Sequence, residues 1–261
     1  MSQDYLALAM PYVQKLSPYV PGKPIEELQR ELGLSDIIKL ASNENPLGPS
    51  PKVRAAIESE LAHLTLYPDG NGFVLKKALA DKFGLQLNQI TLGNGSNDVL
   101  DLVARAYLGP GRDAVYSQYG FAVYPISTQS VGARGIEVPA RDYGHDLDAM
   151  LAAITPQTSV IFVANPNNPT GTWFSKSALT AFLANVPERI VVVLDEAYTE
   201  YVCEPEFPNG FDYLAAHPNL IVTRTFSKAY GLAGLRVGYS VSNPQIADAL
   251  NRVRQPFNVD S

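Results

Sequence analysis

From residue 96 onward, stretches with apolar positions at helical spacing alternate with short runs that are apolar throughout. The spacing predicts helices over 96–108, 121–131, 146–153, 175–184 and 244–254, and strands over 113–116, 135–138, 158–163, 190–194, 220–224 and 235–241. Runs such as Val160-Ile161-Phe162-Val163 and Ile190-Val191-Val192-Val193-Leu194 lack the polar alternation of a strand with one wet face, so both of their faces should be covered. Alternation of this kind predicts βαβ units, and hence an α/β fold of three layers, α/β/α, around a mainly parallel sheet. Asn243-Pro244 supplies a cap and a first-turn proline for the last helix.

The first 50 residues break this rhythm. Pro11, Pro18, Pro21, Pro24, Pro46 and Pro49, followed by Pro51, leave room only for short helices such as 24–32. This predicts an N-terminal arm and small-domain segment over 1–48, with a soft boundary to a large domain over 49–261. No internal repeat, charge run or low-complexity linker interrupts the chain.

Composition narrows the function. With 46% hydrophobic and 18% charged residues in 261, the chain can bury a large core. A net charge of -6, without a cluster of lysines or arginines, argues against a nucleic-acid surface and favours a small-molecule partner. Cys203 is the only cysteine, and His63, His145 and His217 lie at no metal-ligand spacing, so neither an internal disulfide nor a metal is expected. The N-terminus has no basic region followed by an apolar stretch, and no run approaches the roughly 20 apolar residues of a membrane span. A soluble cytoplasmic protein is the expectation.

Four segments carry candidate chemistry. Thr225-Phe226-Ser227-Lys228 through Gly231-Leu232-Ala233-Gly234-Leu235-Arg236 sets one amine among small residues and hydroxyls, with a guanidinium eight positions on. An amine that must attack an aldehyde near neutral pH needs burial and a nearby cation, so Lys228 reads as a Schiff-base lysine, although a lysine after a serine, taken alone, is usually a solvated loop residue. Gly93-Asn94-Gly95-Ser96-Asn97 ends a short strand and opens a helix, which suits a phosphate on free N–H groups or simply a tight turn and cap. Asn165-Pro166-Asn167-Asn168-Pro169-Thr170-Gly171 follows a buried strand, where it is either a rigid turn or a means of aiming an amide into a crevice. Asp195, at the end of the run 190–194, is either a turn cap or a buried carboxylate in need of a cation, such as a protonated pyridine nitrogen.

Together, and in this order, these motifs resemble those of the fold-type-I pyridoxal-phosphate aminotransferases of the aspartate aminotransferase superfamily. The narrower resemblance is to the histidinol-phosphate aminotransferases. It rests on Leu40-Ala41-Ser42-Asn43-Glu44-Asn45-Pro46-Leu47-Gly48-Pro49-Ser50, Tyr67-Pro68-Asp69-Gly70, the Asn165 to Gly171 loop, Asp195-Glu196-Ala197-Tyr198 and the segment from Arg224 to Arg236.

The resemblance implies that Lys228 carries the cofactor covalently and shuttles the proton, that Asp195 pairs with the pyridinium nitrogen, and that Asn168 and Tyr198 bind the ring hydroxyl. Ser96, Asn97, Thr225, Ser227 and Arg236 would hold the phosphate. Phe121 would stack on the ring, with Tyr119 as the alternative; by spacing alone, both are helix packing. Tyr67 would reach the neighbour's cofactor phosphate, making the protein a homodimer. Tyr19, Asn43, Asn45 and Asn168 would meet substrate.

The implied reaction converts L-histidinol phosphate and 2-oxoglutarate into imidazole acetol phosphate and glutamate, a step of L-histidine biosynthesis. Aromatic amino-acid aminotransferase and threonine-phosphate decarboxylase share the same cofactor motifs, and a non-catalytic pyridoxal-phosphate-binding remnant is a reading of another class. The chain stops where the family begins the helix leading to its C-terminal small domain. That domain, with the arginine that pairs with a substrate carboxylate, is expected to be absent, either in a fragment or in a truncated protein of poor solubility.

Overall fold

Seven strands form one sheet in the computed structural model, which describes residues 3–260; Met1, Ser2 and Ser261, at the ends of the two expected segments, lie outside the described residues. The strands are β1 (Ile90–Asn94), β2 (Asp113–Ser117), β3 (Arg134–Val138), β4 (Thr158–Ala164), β5 (Val191–Asp195), β6 (Leu220–Thr225) and β7 (Val237–Ser242). Their order is β1-β7-β6-β5-β4-β2-β3. β7 runs antiparallel to both neighbours and every other pair is parallel, so the sheet is mainly parallel, as the unbroken apolar runs require.

The helices among the described residues are α1 (Pro11–Gln14), α2 (Ile25–Leu32), α3 (Pro51–Glu60), α4 (Phe73–Phe83), α5 (Ser96–Tyr107), α6 (Val123–Ser130), α7 (Leu147–Ala152), α8 (Lys176–Asn185) and α9 (Pro244–Val253). Alternate strand residues explain the three layers. Val160, Phe162, Val191 and Val193 are buried under α5, α6 and α9, whereas Ile161, Val163, Val192 and Leu194 are buried under α7 and α8. Burying each such side chain contributes about 1.5–3 kcal/mol. α4 covers β1 and β7 on the second face, through Leu79, Ala80, Leu92 and Tyr239.

Three local features differ from the sequence expectation. The helix expected from 121 begins at Val123, because Phe121 and Ala122 belong to the turn after Ser117. The strand expected from 235 begins at Val237: Ala233–Leu235 is a turn of 3-10 helix, and Arg236 leaves it in the left-handed region at φ 53°. Helices α3 and α4 had no sequence assignment. α4 is bounded by two left-handed glycines, Gly72 and Gly84, which act as punctuation rather than as periodic signal.

Residues 3–50 contain short helices and no strand. They lie against α6 and the lysine loop: Gln129 donates from Nε2 to the Tyr12 carbonyl at 3.2 Å, and Asn45 donates from Nδ2 to the Ala229 carbonyl at 2.9 Å. Among the described residues, no helix is long and apolar enough to cross a membrane, and no group of three or more His, Cys, Asp or Glu side chains could hold a metal.

Candidate active site

The parallel strands all end at one edge of the sheet, and their loops enclose a cleft of about 870 Å³, within the range of roughly 300–1,000 Å³ typical of ligand sites. β1 delivers Ser96 and Asn97, β4 delivers Asn168, β5 delivers Asp195 and Tyr198, and β6 delivers Thr225, Ser227 and Lys228; all eight line the cleft. Because β7 is reversed, Arg236 at its start meets the same edge, where Asn94 pairs with Val237.

One end of the cleft is built for an anion. Gly95 turns at φ 77° into α5, which has no side-chain cap, so its first backbone N–H groups are free for a ligand. The backbone is packed too tightly here for side chains. A Cβ on Gly95 would stand 2.4 Å from Arg236 Nη2, and one on Gly238 would stand 2.2 Å from the Ser96 nitrogen. Arg236 donates to Ser227 Oγ at 3.2 Å and to the Asn94 carbonyl at 3.3 Å, and among the described residues it makes no ion pair. Its charge is therefore available to a phosphate.

Asp195 is 5% exposed. Its Oδ2 accepts from Tyr124 Oη at 3.0 Å and its Oδ1 from Thr223 Oγ1 at 3.1 Å. Burial pushes the carboxyl upward; the two hydroxyls, the Ala197 N–H and the charge of Lys228 oppose it. No cation lies within ion-pair distance among the described residues.

Lys228 donates from Nζ to the Ser42 carbonyl at 2.9 Å and stands 5.7 Å from the centre of the Tyr198 ring. Burial lowers its pKa first; Glu44 opposes, and Arg236 lowers it further. Asn43 donates from Nδ2 to Tyr198 Oη at 3.0 Å, against the upward push of burial on that phenol.

Phe121 and Tyr19 both line the cleft, their rings edge to face at 6.5 Å; Tyr119 does not line it, and lies instead against Tyr143. Two expected residues are not among those lining the cleft. Asn45 tethers the arm to the residue after Lys228, and Tyr67 is exposed and stacks on Phe257 at 4.9 Å. Three lining or supporting groups escaped notice in the sequence: Tyr124, Thr223 and the carbonyl of Ser42. Thr223 follows only from the register that pairs it with Asp195. Tyr124 had one signal, a hydroxyl-bearing aromatic three positions after Phe121 in an otherwise apolar turn.

The residues fit pyridoxal phosphate. An uncapped helix start with an unpaired arginine receives a phosphate, a buried carboxylate without a counter-ion receives a protonated ring nitrogen, and an amine of lowered pKa lies in the same cleft. Fold and site together define a pyridoxal-phosphate-dependent enzyme of fold type I.

Residues 35–261 match the family described as aminotransferase class I and II. The chain is 68% identical to histidinol-phosphate aminotransferase 2 of Pseudomonas aeruginosa over 99% of its own length and 70% of that protein, and 64% identical to histidinol-phosphate aminotransferase of Stutzerimonas stutzeri over 71% of that protein. The crystal structure of histidinol-phosphate aminotransferase from Sinorhizobium meliloti in complex with pyridoxal-5'-phosphate superposes with a TM-score of 0.88 at 34% identity, covering 97% of this chain and 67% of that one. The chain belongs to the class I and II aminotransferases and, within them, to the histidinol-phosphate aminotransferase family. It spans about 70% of the length of the curated relatives.

Proposed function

We propose that the chain's cleft carries out amino transfer from L-histidinol phosphate to 2-oxoglutarate, giving imidazole acetol phosphate and glutamate. The observation that carries this reading is the placement of the Lys228 amine and the Asp195 carboxylate in one cleft that also holds an anion cradle. When bound, the cofactor supplies a carbonyl carbon for covalent attachment and a ring that withdraws electrons from the substrate Cα.

The chain's own groups do the rest. Ser96, Asn97, Thr225, Ser227 and Arg236 bind the phosphate through N–H, hydroxyl and guanidinium donors. Asp195 keeps a proton on the ring nitrogen by offering it a buried negative charge. Asn168 and Tyr198 hydrogen-bond the ring hydroxyl, and Phe121 covers one ring face. Lys228, held below the usual lysine range by burial, would move a proton between the substrate's Cα and the cofactor carbon that bears the amino nitrogen. Tyr19 and Asn43 line the same cleft and would meet substrate there.

We read residues 1–48 as an arm over a large domain and the assembly as a homodimer. Support comes from the exposed apolar side chains of the N-terminal third, among them Val20, Leu40, Leu47, Leu66 and Tyr67. Tyr67 then acts across the partner contact, while Asn45 holds the arm beside Lys228 for substrate. Sedimentation of the purified chain checks the assembly; a monomer at micromolar concentration argues against it.

The function is tested by the absorption spectrum of the purified chain with pyridoxal phosphate, before and after L-histidinol phosphate, with Lys228→Ala alongside. A Lys228-dependent band that L-histidinol phosphate converts, and that phenylalanine and threonine phosphate leave alone, is the expected result. A band untouched by every amino donor leaves only cofactor binding, and no band sinks the assignment.

A further inference from the structure

Tyr124 is 1% exposed, and its ring has nowhere to go. It stacks on Phe162 with centroids 5.0 Å apart and planes at 7°, meets Phe121 edge to face at 6.0 Å and 89°, and lies so close to Gly120 that a Cβ there would be 3.2 Å from the ring. Its only polar atom donates to Asp195 Oδ2, on a strand two positions across the sheet from β2. A carboxylate turns easily about its last torsion, where the preference is broad. Here each oxygen is tied to a different element, one to α6 and the other to β6.

We infer that Tyr124 is a positioning residue for the reaction: its hydroxyl locks the orientation of the Asp195 carboxylate towards the cleft, while its ring edge orders Phe121. One buried side chain thereby sets both the charge that meets the cofactor's ring nitrogen and the aromatic surface on its face. This rests on the cofactor placement proposed above. Burial raises the Tyr124 phenol well above its ordinary value, so Oη remains a donor throughout the working pH range. A buried carboxylate deprived of such a donor takes up a proton more readily, and a neutral Asp195 no longer favours a protonated ring nitrogen.

The test is Tyr124→Phe, which keeps the ring and removes the hydroxyl. In the cofactor-free chain, the Asp195 carboxyl, followed by its ¹³C resonance, should titrate at higher pH than in the unaltered protein. In the loaded protein, pyridoxal phosphate should be held more weakly, by up to about tenfold for each pH unit by which the Asp195 midpoint rises. kcat should fall with KM nearly unchanged, because the substrate's own contacts are intact. An Asp195 midpoint and a cofactor affinity both equal to those of the unaltered chain overturn the inference.

A measurement on the unaltered chain keeps the inference open to refutation if the variant does not fold. With tyrosines labelled at Cζ, one buried tyrosine resonance should follow the Asp195 titration curve, and a set of tyrosine resonances none of which moves with it overturns the pairing. The cofactor-free titrations do not depend on the proposed function. Absence of any Lys228-dependent band in the unaltered chain defeats that reading by itself, while the Asp195 titration still decides the role of Tyr124.

Discussion

Lys228 Nζ donates to the main-chain carbonyl oxygen of Ser42 at 2.9 Å, joining residues 186 apart in the chain. The loop that supplies this carbonyl is held under strain, with Ser42 at φ 73° and Asn43 at φ 51°. An amine partly withdrawn from water, with the Arg236 guanidinium near it, loses its proton more easily than one in solvent. Covalent capture of pyridoxal phosphate should therefore develop, as pH rises, with a midpoint below the ordinary lysine value of 10.5. The pH dependence of the Lys228-dependent absorption band reads this directly, and a midpoint at the solvent value speaks against a lowered lysine.

Asn43→Ala removes a donor from Tyr198. The phenol is raised by burial and partly restored by Asn43, so the variant should titrate at still higher pH in an ultraviolet difference spectrum. The bond lies towards solvent, so its loss should cost at most about 1 kcal/mol of stability.

Glu196 and Arg224 form a buried pair next to the site. Glu196 accepts from Arg224 Nε at 2.9 Å, from Nη2 at 2.7 Å and from the Gly210 N–H at 2.7 Å, while the guanidinium lies 3.9 Å from the centre of the Phe211 ring. Glu196→Ala leaves the arginine charged and unpaired, and should destabilise the fold by about 3–5 kcal/mol in urea unfolding. Glu196→Leu combined with Arg224→Met should lose less than the sum of the two single changes. Additive losses count against a coupled pair.

The layers of the fold were legible because parallel strands sealed on both faces, such as β4 and β5, cannot carry polar alternation. The candidate residues Lys228, Asp195, Asn168 and Ser96 were legible because each lies at the end of a strand or within four residues of it. Thr223 was not, since its relation to Asp195 exists only in the register between β5 and β6. The reversed direction of β7 shows only in its register against β1 and β6, which no periodicity reveals. Tyr124 looked like core, and it is core; its hydroxyl matters only because β5 ends beside it.

His145 places a pH dependence on the loop after β4. Its Nε2 lies 3.0 Å from the Ala164 carbonyl and 3.2 Å from the Ala164 nitrogen, and burial lowers its pKa from 6.5 to about 4. The unfolded chain thus binds the proton more tightly than the folded one. The stabilisation is complete above pH 6.5, declines as the pH falls from 6.5 towards about 4, and is gone below that, for a total on the order of 3 kcal/mol. His145→Gln should flatten the urea-unfolding stability profile across that window; an unchanged slope counts against the assignment.

Gly238→Ala should be costly out of proportion to one methyl group. The added Cβ would meet the Ser96 nitrogen at 2.2 Å, a backbone atom at the start of α5 that cannot swing aside as a side chain could. We expect a loss of about 1–3 kcal/mol in stability, with a larger fractional loss of pyridoxal phosphate affinity, because the shift displaces the start of α5. Calorimetry with and without cofactor separates the two effects.

The reversed strand β7 also bears on when the protein becomes functional. Arg236 reaches the Asn94 carbonyl across 142 residues only after β7 has slotted between β1 and β6. A chain emerging from the ribosome therefore exposes the start of α5 long before it owns a phosphate cradle, and cofactor capture is a late event in maturation. Because a ligand that binds only the finished state stabilises it by mass action, vitamin supply should set how long the outer edge of this sheet resists proteolysis. A chain loaded with pyridoxal phosphate should therefore outlast an unloaded one under protease.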